Sequence, residues 1–208
     1  MMGFGTVDFT MIICTTISSF MPISLNYIGN RQHTEFVEAT EQAHELLQSP
    51  DFITLIERRG ETPFDDSVPE DLPVAQVAGY FRNETFTLSV DDYADERGRT
   101  NVGGRFVSRF PNTIWLNTLA ILRREACEFA SVLIHEAVHA KSRRISSRTD
   151  GKVEFTHIPP NEREGNQETA PYWIQEEAGD SLCGQHLNPE KRLLIETVED
   201  STFRQVQE

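Results

Sequence analysis

The run "REACEFASVLIHEAVHAKSRR", residues 124–144, constrains this chain more than any other stretch. Ala126, Phe129, Ala130, Leu133, Ala137 and Ala140 step along it at three- and four-residue intervals, the spacing of one broad apolar helix face. Several of those residues are alanines, which let neighbouring elements approach closely. The rest of the fold therefore has to be built around this helix. Within the same apolar surround stand three polar side chains, His135, Glu136 and His139. Buried polar groups need a reason to be there.

The remaining elements read as a mixture of helices and strands. Residues 34–48, "TEFVEATEQAHELLQ", place Phe36, Ala39, Ala43, Leu46 and Leu47 on one face behind Thr34 as a candidate cap. "SPDFITLIERRG" predicts a second short helix, with Pro50 at its start and Gly60 at its stop. Residues 76–90 read as two strands turning near Asn83 and Glu84, and the glycines at 98, 103 and 104 suggest a mobile loop. "NTIWLN", 112–117, predicts a strand. After a long polar stretch over 146–170, "PYWIQEEAGDSLCGQ" predicts a helix ending at Gly184, and a last helix is expected from Asn188 and Pro189 onward. The alternation of Val7, Phe9, Met11 and Ile13 fits a strand near the start. The pattern is that of an α+β protein. The acidic, Pro-containing stretch "ETPFDDSVPED", 61–71, marks a boundary between an N-terminal strand and helical region, 1–72, packed on a larger part, 73–208.

A formal net charge of −14 opposes non-specific nucleic-acid binding and favours neutral or basic partners. No apolar run reaches the roughly 18–20 residues of a membrane span, and no glycine-rich phosphate loop follows a strand. Arg31 is the first basic residue and Asp8 precedes it, a poor match to a secretory signal; the sequence leaves the compartment open and favours the cytoplasm. Cys14, Cys127 and Cys183 are odd in number and widely spaced, and are expected to be reduced thiols, Cys127 and Cys183 packed as small hydrophobes.

The chemistry lies in the spacing of the polar triad. Residues four apart sit above one another on a helix, so His135 and His139 can offer two imidazoles to one ion. Glu136 is turned about 100° from His135, placed to take a proton from a water without being a ligand. Two neutral imidazoles and a carboxylate in this order form the HExxH pattern of zinc hydrolases.

On these residues the helix resembles the active-site helix of the zincin metallopeptidases, and "TIWLN" is similar to the edge strand along which such enzymes lay an extended peptide. In the metzincin pattern a glycine and a third histidine follow; here Ser142 and Ile145 stand in those places. The gluzincins take a glutamate from a second helix, often within ExxxD, and "EEAGD", 176–180, supplies it. The resemblance implies Zn²⁺ held by His135, His139 and Glu176, with Asp180 accepting a hydrogen bond from His135. Glu177, Asp180 and His157 remain alternatives for the third ligand. It further implies Glu136 as general base and acid in peptide hydrolysis, and Tyr172 or His157 as donor to the oxyanion. The implied fold is α+β and zincin-like: a small, mostly antiparallel sheet packed on the HExxH helix and a second ligand-bearing helix. The implied substrate is a protein or peptide. A zinc-binding amidase or pseudoenzyme, and an acidic interaction domain without catalysis, are the rival readings.

Overall fold

A computed structural model describes residues 21–65, 67–68, 72–107, 109–155, 168–184 and 194–198. The chain folds as an α+β protein. Strand β1 (Met21–Tyr27) leads to helices α1 (Thr34–Gln48) and α2 (Pro50–Glu57), the short strand β2 (Ser67–Val68) and helix α3 (Val74–Arg82). Strands β3 (Asn83–Tyr93), β4 (Val102–Val107) and β5 (Thr113–Asn117) precede a 3-10 turn at Thr118–Arg123 and the long helix α4 (Ala126–Arg148). The short strand β6 (Glu154–Phe155), helix α5 (Ala170–Cys183) and strand β7 (Leu194–Val198) complete it.

The main sheet has the order β1-β3-β5-β4-β7, and β2 pairs with β6. The pairs β1/β3, β3/β5 and β4/β7 are parallel; only β4/β5 is antiparallel in that sheet. The expectation of a mostly antiparallel sheet is thus corrected. Long helical connections separate β1 from β3, and such crossovers join parallel neighbours, whereas the short β4–β5 loop allows an antiparallel turn. "TIWLN" is also not an edge strand, because β5 is hydrogen-bonded on both sides, to β3 and β4.

Helix α4 is the centre of the packing. Every residue from Phe129 to Ser142 is buried, so it is covered on all faces rather than on one. Helix α1 lies against it through the rings of Phe36 and Phe129, 4.8 Å apart edge to face, and α5 covers another side. The sheet covers a third. A β-carbon on Gly104 of β4 would sit 2.8 Å from Val132 of α4, so glycine is what lets strand and helix close on one another. This explains why Gly103 and Gly104 lie in a strand and not in the mobile loop their residue type suggests. The preceding turn is also anchored: Asn117 donates to the carbonyls of Arg99 and Val102, at 2.8 Å each, and accepts from the N–H of Asp95.

Two further segments differ from the sequence reading. Residues 74–82 are helical because Val74, Val77, Ala78 and Phe81 repeat at three and four residues and bury that face, Phe81 meeting Phe52 of α2. Residues 194–198 form β7 instead of helix; Ile195, Thr197 and Val198 are β-branched, and β4 offers them a strand to pair with. The expected early strand near Val7 lies outside the described residues. Helices α1, α2 and α5 stand where expected, α5 closing on Gly184 in the left-handed conformation at φ 65°. One hydrophobic core runs from Ile23 to Ala178, shared by residues on both sides of the 72/73 boundary.

Cys127 and Cys183, expected as separate thiols, form a disulfide with Cα atoms 5.4 Å apart. The reason is topological: α4 and α5 pack side by side, and the bond joins the first turn of one to the last turn of the other. At the opposite end of α5, Arg59 is buried between the rings of Phe64 and Trp173, at 4.7 and 4.9 Å. It donates to the carbonyls of Thr62 and Pro63 and to the Glu168 carboxylate at 2.8 Å. The disulfide spans a sequence separation of 56. Loop-closure entropy for a loop of that size corresponds to about 4 kcal/mol. Denaturant unfolding with and without a reductant is expected to show a loss approaching that figure, and the Cys127→Ser, Cys183→Ser double variant the same loss without reductant.

Asp92 ties the β1–α1 connection to the sheet. It accepts from the Asn30 N–H at 2.7 Å and from the Tyr27 hydroxyl at 2.8 Å, and pairs with Nδ1 of His33 at 3.1 Å. Burial pushes its carboxyl up, but these hydrogen bonds outweigh burial and hold it below the usual carboxylate range. A lowered carboxylate stabilises above the unfolded value, about 4, and loses that contribution as pH falls through the folded value. Asp92→Asn is therefore expected to lower stability by about 1–2 kcal/mol at pH 7. The deficit should shrink in urea melts taken at progressively lower pH below that window; a deficit independent of pH would contradict the assignment.

Candidate metal centre

Helix α4 carries the first three residues of the site into the core. Its start is fixed by Glu128, whose carboxylate accepts from the Glu125 N–H at 2.9 Å and pairs with Arg124 at 3.2 Å. Two turns later His135 and Glu136 are fully buried and His139 nearly so. The imidazoles of His135 and His139 turn toward each other, their Nε2 atoms 3.0 Å apart and ring centroids 4.7 Å apart. Two nitrogens each about 2.0–2.1 Å from one zinc ion can be at most about 4 Å apart, a limit this pair meets. The alternative is a proton shared between the two rings, and its tautomer is set by nothing visible on the helix itself.

Glu136 is the second observation. Both of its carboxylate oxygens are buried, and neither has a hydrogen-bond partner among the described residues. Burial alone pushes its carboxyl well above the usual range. An unpaired acid in a core is costly, and native proteins keep such groups at places where a ligand, a water or a reaction uses them. The donor set therefore fits a metal with an acid beside it.

Helix α5 supplies the rest. Tyr172 lays the edge of its ring on His135, centroids 4.7 Å apart, and Cys183 is bonded to Cys127. These two contacts define the stripe of α5 that faces α4. At about 100° per residue, Glu176 falls within about 40° of Tyr172 and 20° of Cys183, on that stripe. Glu177 falls about 120–140° away, and its carboxylate lies 3.4 Å from Arg58, toward α2. Of the two glutamates, Glu176 shares the histidines' side.

Among the described residues no group of three or more His, Cys, Asp or Glu is gathered closely enough to hold a metal ion, so the cluster is a pair of histidines with Glu176 on the facing stripe. Asp180 lies less than one turn from Cys183 on α5, and His135, whose Nδ1 is buried, more than two turns from Cys127 on α4. His157 lies outside the described residues. Lys141, which the sequence reading did not single out, is buried with its ammonium 5.8 Å from the centre of the Phe86 ring. No helix of the described residues is long and apolar enough to cross a membrane. Compared with models of protein families, with curated proteins and with solved structures, the chain matches none.

The orphaned carboxyl makes a prediction independent of activity. In metal-free protein, Glu136→Met is expected to raise the unfolding free energy by about 1–3 kcal/mol, since an apolar side chain of similar size removes an unpaired buried group. Thermal melts of the two proteins in chelator decide it; a destabilised variant would mean that Glu136 has a partner in the folded chain.

Proposed function

We propose that the chain is a zinc metallopeptidase of gluzincin type, with a zincin-like arrangement of its α+β fold. The observation that carries this reading is the approach of the two Nε2 atoms to 3.0 Å beside the unpaired buried carboxyl of Glu136. His135 and His139 would hold the metal, and Glu176, on the facing stripe of α5, would be the third ligand. Zinc held there would supply Lewis acidity to a water and to a substrate carbonyl.

The chain's own residues do the proton work. Glu136 receives the proton of the attacking water as its oxygen adds to the scissile carbonyl carbon, and returns it to the nitrogen as the C–N bond breaks. Burial raises the pKa of that carboxyl, so it holds the received proton more readily than an exposed carboxylate until the nitrogen takes it. Tyr172, whose ring centroid lies 4.7 Å from that of His135, would donate to the oxyanion, and His157 is the other candidate. The acidic character of the chain favours neutral or basic protein and peptide substrates. The Cys127–Cys183 bond supports an oxidising compartment over the cytoplasm, since such bonds persist where thiols are not kept reduced.

Elemental analysis of protein purified without chelator or nickel affinity resin is expected to give about one zinc per chain, and His135→Ala or His139→Ala to lose it. Glu136→Gln should keep the zinc and lower the rate of casein cleavage by about 10²–10⁴-fold. Zinc retained with no cleavage by the wild-type chain on any peptide library would point to a zinc-binding protein of another kind.

A further inference from the structure

The sheet ends in an arrangement that the proposed peptidase reading does not require. β4 packs its inner face on α4 at Val132, one turn before Glu136 on the same face of the helix. It is thus a strand that meets α4 within one turn of the acid. Its outer edge is taken by β7 in parallel register, Val102 with Leu194, Gly104 with Ile195, Arg105 with Glu196 and Val107 with Val198, with a shift between Val102 and Gly104.

β7 is held to the protein in an unusual way. Among the described residues, β4 is the element with which it makes extensive backbone contact. It is a five-residue strand. Short parallel pairing is the weaker kind, and a strand added at an edge by its main chain alone is the geometry in which one extended segment can replace another. An exposed edge next to the site would otherwise be a template for any extended chain.

We propose that β7 is a displaceable internal occupant of the β4 edge, so that an extended peptide reaches the site by adding to β4 in its place. The inference rests on the peptidase reading for its inhibitory role and on the strand pairing for its geometry. The occupant's own sequence states the preference: a peptide with aliphatic residues flanking an acidic one at the position in register with Arg105 competes with β7.

The test uses the full chain. N–H groups alternate sides along a strand, so Ile195→Pro with Glu196→Pro removes at least one donor to β4. A gentler variant, Glu196→Arg, sets a like charge against Arg105. The probe is a fluorescein-labelled peptide of residues 191–201, read by anisotropy, with hydrogen exchange at amides 102–107. If β7 covers the edge nine-tenths of the time, its release tightens apparent peptide affinity about 10-fold and speeds exchange at those amides, which added peptide slows again. In zinc-loaded protein, casein hydrolysis should rise by a similar factor. Unchanged exchange in both variants, or peptide affinity equal to wild type, overturns the displaceable strand; a freed edge with an unchanged rate overturns its inhibitory role. Zinc content is measured on the same samples. Its absence would remove the peptidase reading while leaving the binding and exchange results to judge the strand.

Discussion

The structure depends on one helix being buried on all sides. An ordinary amphipathic helix presents a stripe to the core and sends its polar residues to water. α4 has no such outlet over Phe129–Ser142: α1, the sheet and α5 surround it, and Ala130, Ala137 and Ala140 let them come close. Any polar side chain on that stretch must be satisfied from within. His135 and His139 meet each other, and Glu136 meets nothing described that can share a proton. Three such groups in a core of this kind oppose folding, and a bound cation would convert the same groups from a burden into a source of binding energy.

That arrangement needs α5 to be held in register, and it is held from both ends. The disulfide fixes its last turn to the first turn of α4. At its first turns, Arg59 is gripped between Phe64 and Trp173 and reaches Glu168, while the Asp65 N–H donates to the Glu168 carbonyl. Between those anchors lie Tyr172, on the ring of His135, and Glu176. The two ends differ in kind. One is covalent and responds to reductant; the other is a desolvated guanidinium whose loss would take a donor from the carbonyls of Thr62 and Pro63. Both act on the same property, the angle at which the Glu176 stripe faces the histidines.

Much of this was legible in the sequence, and the rest failed for particular reasons. The apolar periodicity of 126–140 and of 34–48 is strong because one face dominates, and helices α4 and α1 lie where it places them. The same signal was present at Val74, Val77, Ala78 and Phe81, but short apolar segments read equally as strands, and α3 was taken for one. Strand order is a tertiary property: nothing local in "TIWLN" says that β4 will pair on its far side. The disulfide left a signal that was passed over. Cys127 precedes His135 by eight residues and Cys183 follows Glu176 by seven, a near-symmetric placement on two helices that a shared site would bring side by side. Of the site, the stacking of His135 over His139 follows from helical spacing; the Tyr172 ring contact does not, because it depends on how α5 crosses α4.

The sheet gives the last constraint. β1, β3 and β5 run parallel, and the reversed strand β4 packs against α4 with a side facing away from those three. Gly104 brings that strand down onto Val132, one turn before Glu136 on the helix. An extended chain paired to β4 then lies on a strand that packs closely against that helix, its residues about 3.3 Å apart, whichever chain it is. The fold fixes the track; residues 194–198 happen to be the segment lying on it. A strand paired along a sheet edge is open to competition from another extended segment, and under the chemistry proposed for α4 a peptide that wins that competition is a substrate.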